Sequence, residues 1–303
     1  MPLRSLMIGD CDHYLSPYIF GVGQGMARLG HWHSQISIRN SLSVLKQRIE
    51  DVRPHILWTH MLLWPPTDSP RVEHLLDLVT QAARNGARVV IHDGDYKGVT
   101  RLPLDLSAWC SVALCNHTFD RSAWKIPALR WPYFAFAQDA IAPPNPAFAC
   151  DLWFAGIIGQ GPVYAARTAL LEAVRDRGVA LRIPEIRDGN TLFRTAEVAA
   201  SAGAVLGFGR PDTPGWVDTR VFQYPGAGGI LLHDDVAGYL EPWEHFVPYR
   251  SGDPGSVVDA MCQLRALPAP AVTALRVRAF RFVQQHHSSV ARVAEVLRFV
   301  GLS

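Results

Sequence analysis

Strand-like and helix-like segments alternate along almost the whole chain, and this alternation constrains the fold more than any other feature of the sequence. Short apolar runs are followed by longer stretches whose apolar residues recur every three or four positions. Glycines close several of the helical stretches, as Gly30, Gly86 and Gly178 do. Such a rhythm is typical of a parallel β-sheet covered by helices, so the sequence predicts an α/β protein.

The rhythm stops once, near residue 145, and then begins again. In the first half, strands are predicted at residues 3–9, 55–60, 87–92, 111–116 and 129–133, and helices at residues 18–29 and 71–84. Residues 140–149 are rich in Pro and Ala and lack any period. In the second half, strands are predicted at residues 150–156, 179–183, 204–208, 229–233 and 245–249, and helices at residues 164–177, 191–202, 218–224, 254–264, 270–285 and 288–300.

A length of 303 residues is compatible with two domains. We predict two Rossmann-like, doubly wound domains, residues 1–145 and 146–285, with a C-terminal helix at residues 286–303 that packs back on the first. The two domains are expected to face each other across a cleft at the carboxyl ends of their strands, where open α/β sheets bind ligands.

Composition excludes several classes of protein. No apolar stretch approaches the roughly 20 residues of a membrane helix, and the N-terminus lacks the pattern of a signal peptide, so we predict a cytoplasmic protein without a membrane span. The formal net charge is +2, which argues against a highly basic nucleic-acid binder. The 5 Cys are scattered, and no Cys/His cluster indicates a metal site.

The loop after the first predicted strand carries polar residues and is followed by several glycines. Their spacing does not match a dinucleotide-binding fingerprint, which disfavours an NAD-type domain. The glycines either allow close packing of helix on sheet or let a substrate approach the backbone. On the second interpretation, Asp10, His13 and Gly21 contact substrate.

Two carboxylates follow the strand predicted at residues 87–92. Asp93 and Asp95 flank Gly94, and a carboxylate there could take a proton from a bound hydroxyl, as a general base does. The alternative is an Asx turn that caps the next segment. His92, at the strand end, is a candidate for substrate binding, against the alternative of a structural histidine.

Residues 207–235 hold the densest set of polar side chains next to glycines. Arg210 lies in a loop, and Asp218, Thr219 and Arg220 stand at the start of the helix predicted at residues 218–224. A helix start offers free N–H groups and a guanidinium to an anionic ligand such as a diphosphate. The alternative is an ordinary helix between two strands. Residues 151–303 contain no Lys, so a phosphate site in this half would use Arg or backbone N–H groups.

The same segment resembles glycosyltransferases of the GT-B architecture, especially the CgeB (spore maturation) type. Residues 219–235 are similar to the family pattern R-x-F-E-x-x-A-C-G-x-x-x-L-x-D. Residues 152–156 and 167–172 resemble its F-x-G and R-x-x-L-L-E opening of the donor domain, residues 239–249 its L-F-x-P-G-x-E-x-V-x-Y strand, and residues 25–31 its L-x-x-L-G-H helix end.

The resemblance implies a metal-independent glycosyltransferase of the hexosyltransferase type. It would hold no tightly bound cofactor and would use a nucleotide-diphosphate sugar, with a UDP-sugar favoured, as co-substrate. Gly156, Arg210, Asp218, Thr219, Arg220 and Gln223 are its implied contacts, and Arg210, Arg220 or Arg167 would meet the diphosphate. Gln223 stands where the family usually has a ribose-binding Glu, and Gln can still donate and accept hydrogen bonds. The acceptor would be a hydroxyl group of a glycan or a small molecule.

Two alternatives stay open at this point. One is a DNA glycosyltransferase acting on a hydroxymethylated base, whose acceptor groove would draw on Arg71, Arg101, Arg121, Lys125 and Arg130. The other is a catalytically inactive GT-B module that binds a nucleotide sugar or a partner protein, an interpretation that the change to Gln223 supports.

Overall fold

The computed structural model describes residues 1–9, 16–60, 70–93, 106–116, 125–156, 158–159, 162–184, 194–209 and 215–302. The chain forms two compact units. The first consists of Met1–Tyr133, Asp212–Trp216 and Ser289–Ser303, and the second of Phe134–Pro211 and Val217–Ser288. The passage from one unit to the other therefore lies at Tyr133–Phe134, ahead of the Pro- and Ala-rich residues 140–149. Ala135 already pairs with Ser288, a residue of the second unit.

The first unit is built on a 6-stranded sheet in the order β2-β1-β3-β4-β5-β6. All five pairings of neighbouring strands are parallel. The strands are β1 (Arg4–Gly9), β2 (Trp32–Ser37), β3 (Ile56–His60), β4 (Arg88–Asp93), β5 (Val112–Cys115) and β6 (Ala128–Arg130). The central strands are buried along nearly their whole length, as expected for a parallel sheet covered on both faces.

Three helices of the first half accompany this sheet, α1 (Ser16–Arg28), α2 (Leu42–Val52) and α3 (Pro70–Arg84). The α2 helix begins after Ser41, whose hydroxyl accepts the Val44 N–H, and it buries Leu45, Ile49 and Val52 at helical spacing. The C-terminal helix Ser289–Phe299 also belongs to this unit and packs on α1. Gly25 makes that packing possible, because a Cβ there would lie 2.5 Å from the Ser289 carbonyl oxygen.

The second unit is built on a 5-stranded sheet in the order β11-β10-β9-β7-β8, again with parallel pairings. Its strands are β7 (Cys150–Trp153), β8 (Leu181–Arg182), β9 (Ala202–Leu206), β10 (Leu231–His233) and β11 (Val247–Pro248). Its helices are α4 (Pro162–Asp176), α5 (Thr195–Ser201), α6 (Arg220–Gln223), α7 (Pro254–Ala266) and α8 (Ala269–His287). The C-terminal helix of the first unit, Ser289–Phe299, is α9. From β7 the chain first adds β8 on one side of β7, at the edge of the sheet. It then returns to add β9 on the opposite side of β7, followed by β10 and β11, so the strand order reverses between β7 and β9.

One predicted helix is much shorter than expected. The helix predicted at residues 218–224 is reduced to α6, which has only 4 residues and passes into a 3-10 turn at Pro225–Ala227. Pro225 lacks the N–H that would continue the α-helical ladder. Gly228 then ends the turn with a φ of 84°, a backbone conformation that glycine adopts without strain.

Within the described residues, none of the helices has both the length and the apolar character needed to cross a membrane.

Candidate active site

The carboxyl ends of β7 and β9 meet where the strand order of the second sheet reverses. Gly156 follows β7, and Gly207 and Gly209 follow the neighbouring β9. In open α/β sheets, ligands bind outside the carboxyl ends of the strands at such a reversal. We call the group formed by Gly156, Gly207, Asp218, Arg220 and His233 the switch-point site.

A buried ion pair occupies this site. The Arg220 backbone N–H donates to Asp218 Oδ1 at 2.7 Å, while the Nε and Nη2 groups of the guanidinium bind Asp218 Oδ2. The side chains are only 9% and 2% exposed, respectively. Charges at this depth persist when they are paired, so Asp218 fixes both the charge and the orientation of Arg220.

Arg220 also connects this pair to the segment after β7. Its Nη1 donates to the Ala155 carbonyl at 2.5 Å, and its guanidinium carbon lies 5.0 Å from the centre of the Phe154 ring. A Cβ on Gly156 would overlap both Nη1 and the Phe154 ring, so the guanidinium lies directly against the Gly156 backbone. Because a guanidinium has five N–H donors, Nη1 and Nη2 each keep one that no described residue accepts, and these two can donate to an anion.

The segment after β10 is anchored by carboxylate hydrogen bonds. Asp234 Oδ1 accepts the Gly209 N–H at 2.6 Å, and its Oδ2 accepts the Ser251 hydroxyl at 2.7 Å. The Asp235 N–H donates to His233 Nδ1 at 3.0 Å. Burial lowers the pKa of His233, although the nearby Asp218 and Asp234 carboxylates act against this shift. His233 is therefore a neutral imidazole near pH 7.

Two further side chains line the same strand ends. The Tyr249 hydroxyl donates to the Gly207 carbonyl at 2.7 Å, and burial raises the pKa of this phenol, which keeps it a donor. The Arg167 guanidinium on α4 lies 5.4 Å from the centre of the Phe208 ring and 5.7 Å from that of Phe154. Arg167 is thus a second cation beside the Phe154 ring that Arg220 also contacts.

The structure brings together most of the residues predicted for nucleotide-sugar binding, but it changes the role of one. Asp218 uses both carboxylate oxygens on Arg220, so it orients the arginine instead of meeting a diphosphate. Thr219 is half-buried and makes no capping hydrogen bond with its side chain, and Gln223 is buried in α6. The helix start offers fewer free N–H groups than expected, because the Arg220 N–H donates to Asp218 Oδ1 and the Val221 N–H to the Asp218 carbonyl. Arg210 lies outside the described residues.

The residues predicted to bind the acceptor substrate, and the two carboxylates predicted as its base, either are buried or lie outside the described residues. Asp10, His13 and Asp95 lie outside them. Gly21 is buried within α1. Asp93 and His92 are both 0% exposed at the end of β4. An acceptor hydroxyl would have to reach a buried carboxylate for Asp93 to serve as its base.

His92 belongs to an aromatic cluster in the first unit. Its ring stacks on Tyr18 with 4.7 Å between the ring centroids and meets the His60 ring edge-on at the same separation. Trp131 and Tyr133 contact His92 from other directions. These contacts give His92 a packing role in the core beneath the carboxyl edge of the first sheet.

Two of the arginines considered for a basic groove bind backbone carbonyls. Arg71 donates to the Ile38 carbonyl at 2.6 Å and to that of Asn40, and Arg130 donates to the Gly215 carbonyl at 3.2 Å. Arg101 and Arg121 lie outside the described residues. Among the residues that the structure does describe, no group of three or more His, Cys, Asp or Glu side chains is arranged to hold a metal ion.

Two α/β units, each with a parallel sheet, define the class: the chain has the GT-B fold of glycosyltransferases. Its residues 167–298 match the family model described as "Glycosyl transferase-like". No curated protein sequence matches the chain.

Solved structures match along nearly the full length of the chain. Anabaena Alr3699/HepE in complex with UDP and glucose is 7% identical, with 99% of both chains covered and a TM-score of 0.61. The DNA-modifying enzyme β-glucosyltransferase is 10% identical, with 98% of this chain and 99% of that chain covered and a TM-score of 0.59. A glycosyltransferase from Rickettsia africae is 8% identical, with coverages of 99% and 98% and a TM-score of 0.57. At these identities the likeness is one of fold, and it does not single out the CgeB type.

Proposed function

We propose that this protein is a glycosyltransferase that moves a sugar from a nucleotide-diphosphate sugar to a hydroxyl group of an acceptor. The observation that carries the proposal is the Arg220 guanidinium, held by Asp218 directly against the Gly156 backbone at the switch-point site. A UDP-sugar is the favoured donor, because similar structures were determined with UDP or UDP-glucose. The family match over residues 167–298 includes Arg220 and His233.

In this proposal the second unit binds the donor and stabilises its leaving group. Transfer of the sugar leaves negative charge on the terminal phosphate of the nucleoside diphosphate. The free N–H groups of Arg220 would bind those phosphate oxygens, and Arg167 would add a second positive charge. Because the ion pair with Asp218 fixes the guanidinium before ligand arrives, little reorganisation is needed in the transition state.

Gln223 would take the place of the ribose-binding Glu that the family resemblance implies. Gln223 is the last residue of α6, three residues after Arg220. Its backbone N–H donates to the Thr219 carbonyl at 3.0 Å, which is the hydrogen bond of this helical turn. An amide can donate to one ribose hydroxyl and accept from the other, so nucleotide binding is compatible with Gln at this position.

A thermal-shift experiment tests the proposal. UDP, GDP, TDP and their sugars are added in rising concentration, and at least one should raise the melting temperature in a concentration-dependent way. Arg220→Ala should abolish the shift, whereas Arg177→Ala, at an exposed arginine of the same unit, should leave it intact. If no nucleotide stabilises the wild-type protein, the proposed donor site is wrong.

A modified base in DNA is the second candidate acceptor, and the fold likeness to a DNA-modifying glucosyltransferase supports it. The backbone contacts of Arg71 and Arg130 argue against it, because they engage two of the arginines that a basic groove would use. DNA binding that weakens steeply with salt would favour the DNA acceptor. Nucleotide binding without any turnover would instead favour an inactive binding module.

A further inference from the structure

His233 is the last residue of β10 at the switch-point site, and the hydrogen bonding of its imidazole determines which ring nitrogen carries the hydrogen. The side chain is fully buried. Its Nδ1 accepts the Asp235 N–H at 3.0 Å, whereas Asp234 Oδ1 lies 3.3 Å from Nδ1 and already accepts the Gly209 N–H. A neutral ring therefore carries its hydrogen on Nε2. Within the described part of the chain, Nε2 has no hydrogen-bond partner. A buried N–H donor without an acceptor costs stability, which makes it a group to be explained.

The polar side chains around His233 already have partners. Asp234 binds the Gly209 N–H and the Ser251 hydroxyl, and the Tyr249 hydroxyl donates to the Gly207 carbonyl. Asp218 is committed to Arg220. Among the described residues, these neighbours leave Nε2–H without an acceptor, which a bound ligand can supply.

The free edge of the imidazole lies against the strand end that borders the switch-point site. A Cβ on Gly207 would overlap the ring carbon Cδ2 and would lie 2.8 Å from Nε2. The absence of a side chain at position 207 therefore lets the Nε2 edge meet the backbone at the carboxyl end of β9, the edge where this sheet is expected to take its ligand.

Charged groups of both signs act on the His233 ring. The Arg220 charge acts on the ring and helps to lower its pKa. The Asp218, Asp234 and Asp235 carboxylates also face the ring, and they repel a free anion unless cations and donors compensate. Arg220 offsets Asp218, with which it is paired, and Arg167 adds a second cation beside the Phe154 ring. The neutral imidazole contributes a directed donor and no charge of its own.

We propose that His233 is a binding residue of the switch-point site, where its Nε2–H donates to a phosphate oxygen of the bound nucleoside diphosphate. The inference rests on the proposed function, because it assumes a nucleoside diphosphate as ligand. It adds a neutral hydrogen-bond donor on β10 to the guanidinium of Arg220, and it explains why position 207 has no side chain.

The test uses the full-length protein labelled with ¹⁵N-histidine and titrated with UDP. Before UDP is added, the NMR spectrum should contain one buried ring protonated at Nε2 that is absent from His233→Gln. UDP should shift its Nε2 and Hε2 resonances strongly. If UDP binds and these resonances stay unchanged, the inference is wrong and the proposed function stands. If wild-type protein does not bind UDP at all, the proposed function itself fails.

Variants add a second, independent measurement. His233→Phe keeps a ring without a donor and should weaken UDP binding about tenfold, the contribution of one hydrogen bond to a charged group. His233→Gln restores a side-chain N–H donor and should recover part of that loss. His286→Phe, at an exposed histidine of the same unit, is the matched control and should bind UDP as the wild type does. Equal affinity of all three variants would overturn the inference.

Discussion

The Asp218 carboxylate holds Arg220 twice, through the backbone N–H at 2.7 Å and through the guanidinium. Removing one member of a buried pair leaves an uncompensated charge, at a cost of about 3–5 kcal/mol. We therefore expect Asp218→Asn and Arg220→Gln each to lower the free energy of unfolding by about 3 kcal/mol. The double variant should lose clearly less than the sum, because neither charge is then left alone. Urea unfolding of the four proteins measures this coupling.

The matched control is the exposed pair Lys46 and Glu50, whose side chains are 65% and 56% exposed. A double-mutant cycle there should give a coupling near zero, because solvent screens such pairs. If the effects of Asp218→Asn and Arg220→Gln simply add, the two side chains do not form the ion pair that positions the guanidinium.

Gly156 should be required for nucleotide binding because of its missing side chain. A Cβ there would overlap Arg220 Nη1 and the Phe154 ring, so Gly156→Ala should displace the guanidinium and weaken UDP binding about tenfold, or 1.4 kcal/mol. Gly159→Ala is the matched control, since a Cβ at that position meets nothing within 4 Å. Isothermal titration with UDP compares the two variants. Equal affinities would contradict the role given to the Gly156 backbone.

The central strands of both sheets could be predicted from sequence because strands buried on both faces are continuous apolar runs. The strand predicted at residues 3–9 is β1, Arg4–Gly9, and that at residues 229–233 contains β10, Leu231–His233. By contrast, β2 has no such run, because this edge strand, Trp32–Ser37, is largely half-buried and polar. The α2 helix, although missed as well, had a signal in Ser41 followed by apolar residues at helical spacing.

For the candidate site, the sequence indicated a location and said less about its chemistry. The motif around Arg220 and the glycine after β7 both indicated the donor side. That Asp218 would bind Arg220, and leave the ligand to the arginine, depends on side-chain geometry that residue spacing does not fix. His233 gave no signal of its own, because a single histidine at a strand end is ordinary. Its Nε2 lacks a partner among the described residues because Asp234 and Tyr249 form their hydrogen bonds elsewhere, which the sequence does not reveal.

The predicted base can be separated from the donor site by comparing binding with turnover. Asp95→Ala should remove sugar transfer and leave the UDP-induced thermal shift unchanged, because a base acts on the acceptor and not on the nucleotide. Asp93→Asn, which replaces a fully buried carboxylate by a group of the same shape, is the parallel variant. Release of UDP from UDP-sugar in the presence of acceptor measures turnover. If both variants remain active, the base is neither of these carboxylates.

Acid should destabilise the protein through His33 on β2. Its Nδ1 lies 3.0 Å from the Ser5 hydroxyl, the ring packs against Gly23 of α1, and burial lowers the pKa of His33 to about 4. In the unfolded chain, histidine has a pKa near 6.5. Between about pH 6.5 and pH 4, the unfolded chain therefore binds a proton at His33 that the folded protein does not bind. The free energy of unfolding should fall through this window as the pH is lowered, by about 1.4 kcal/mol for each pH unit from this group.

His33→Gln should make the decline shallower by a similar amount, while His74→Gln, at an exposed position on α3, should not. Urea unfolding at pH 7.5, 6.5, 5.5 and 4.5 decides the point, and parallel pH dependences of the wild type and His33→Gln would mean that this ring is protonated as readily folded as unfolded.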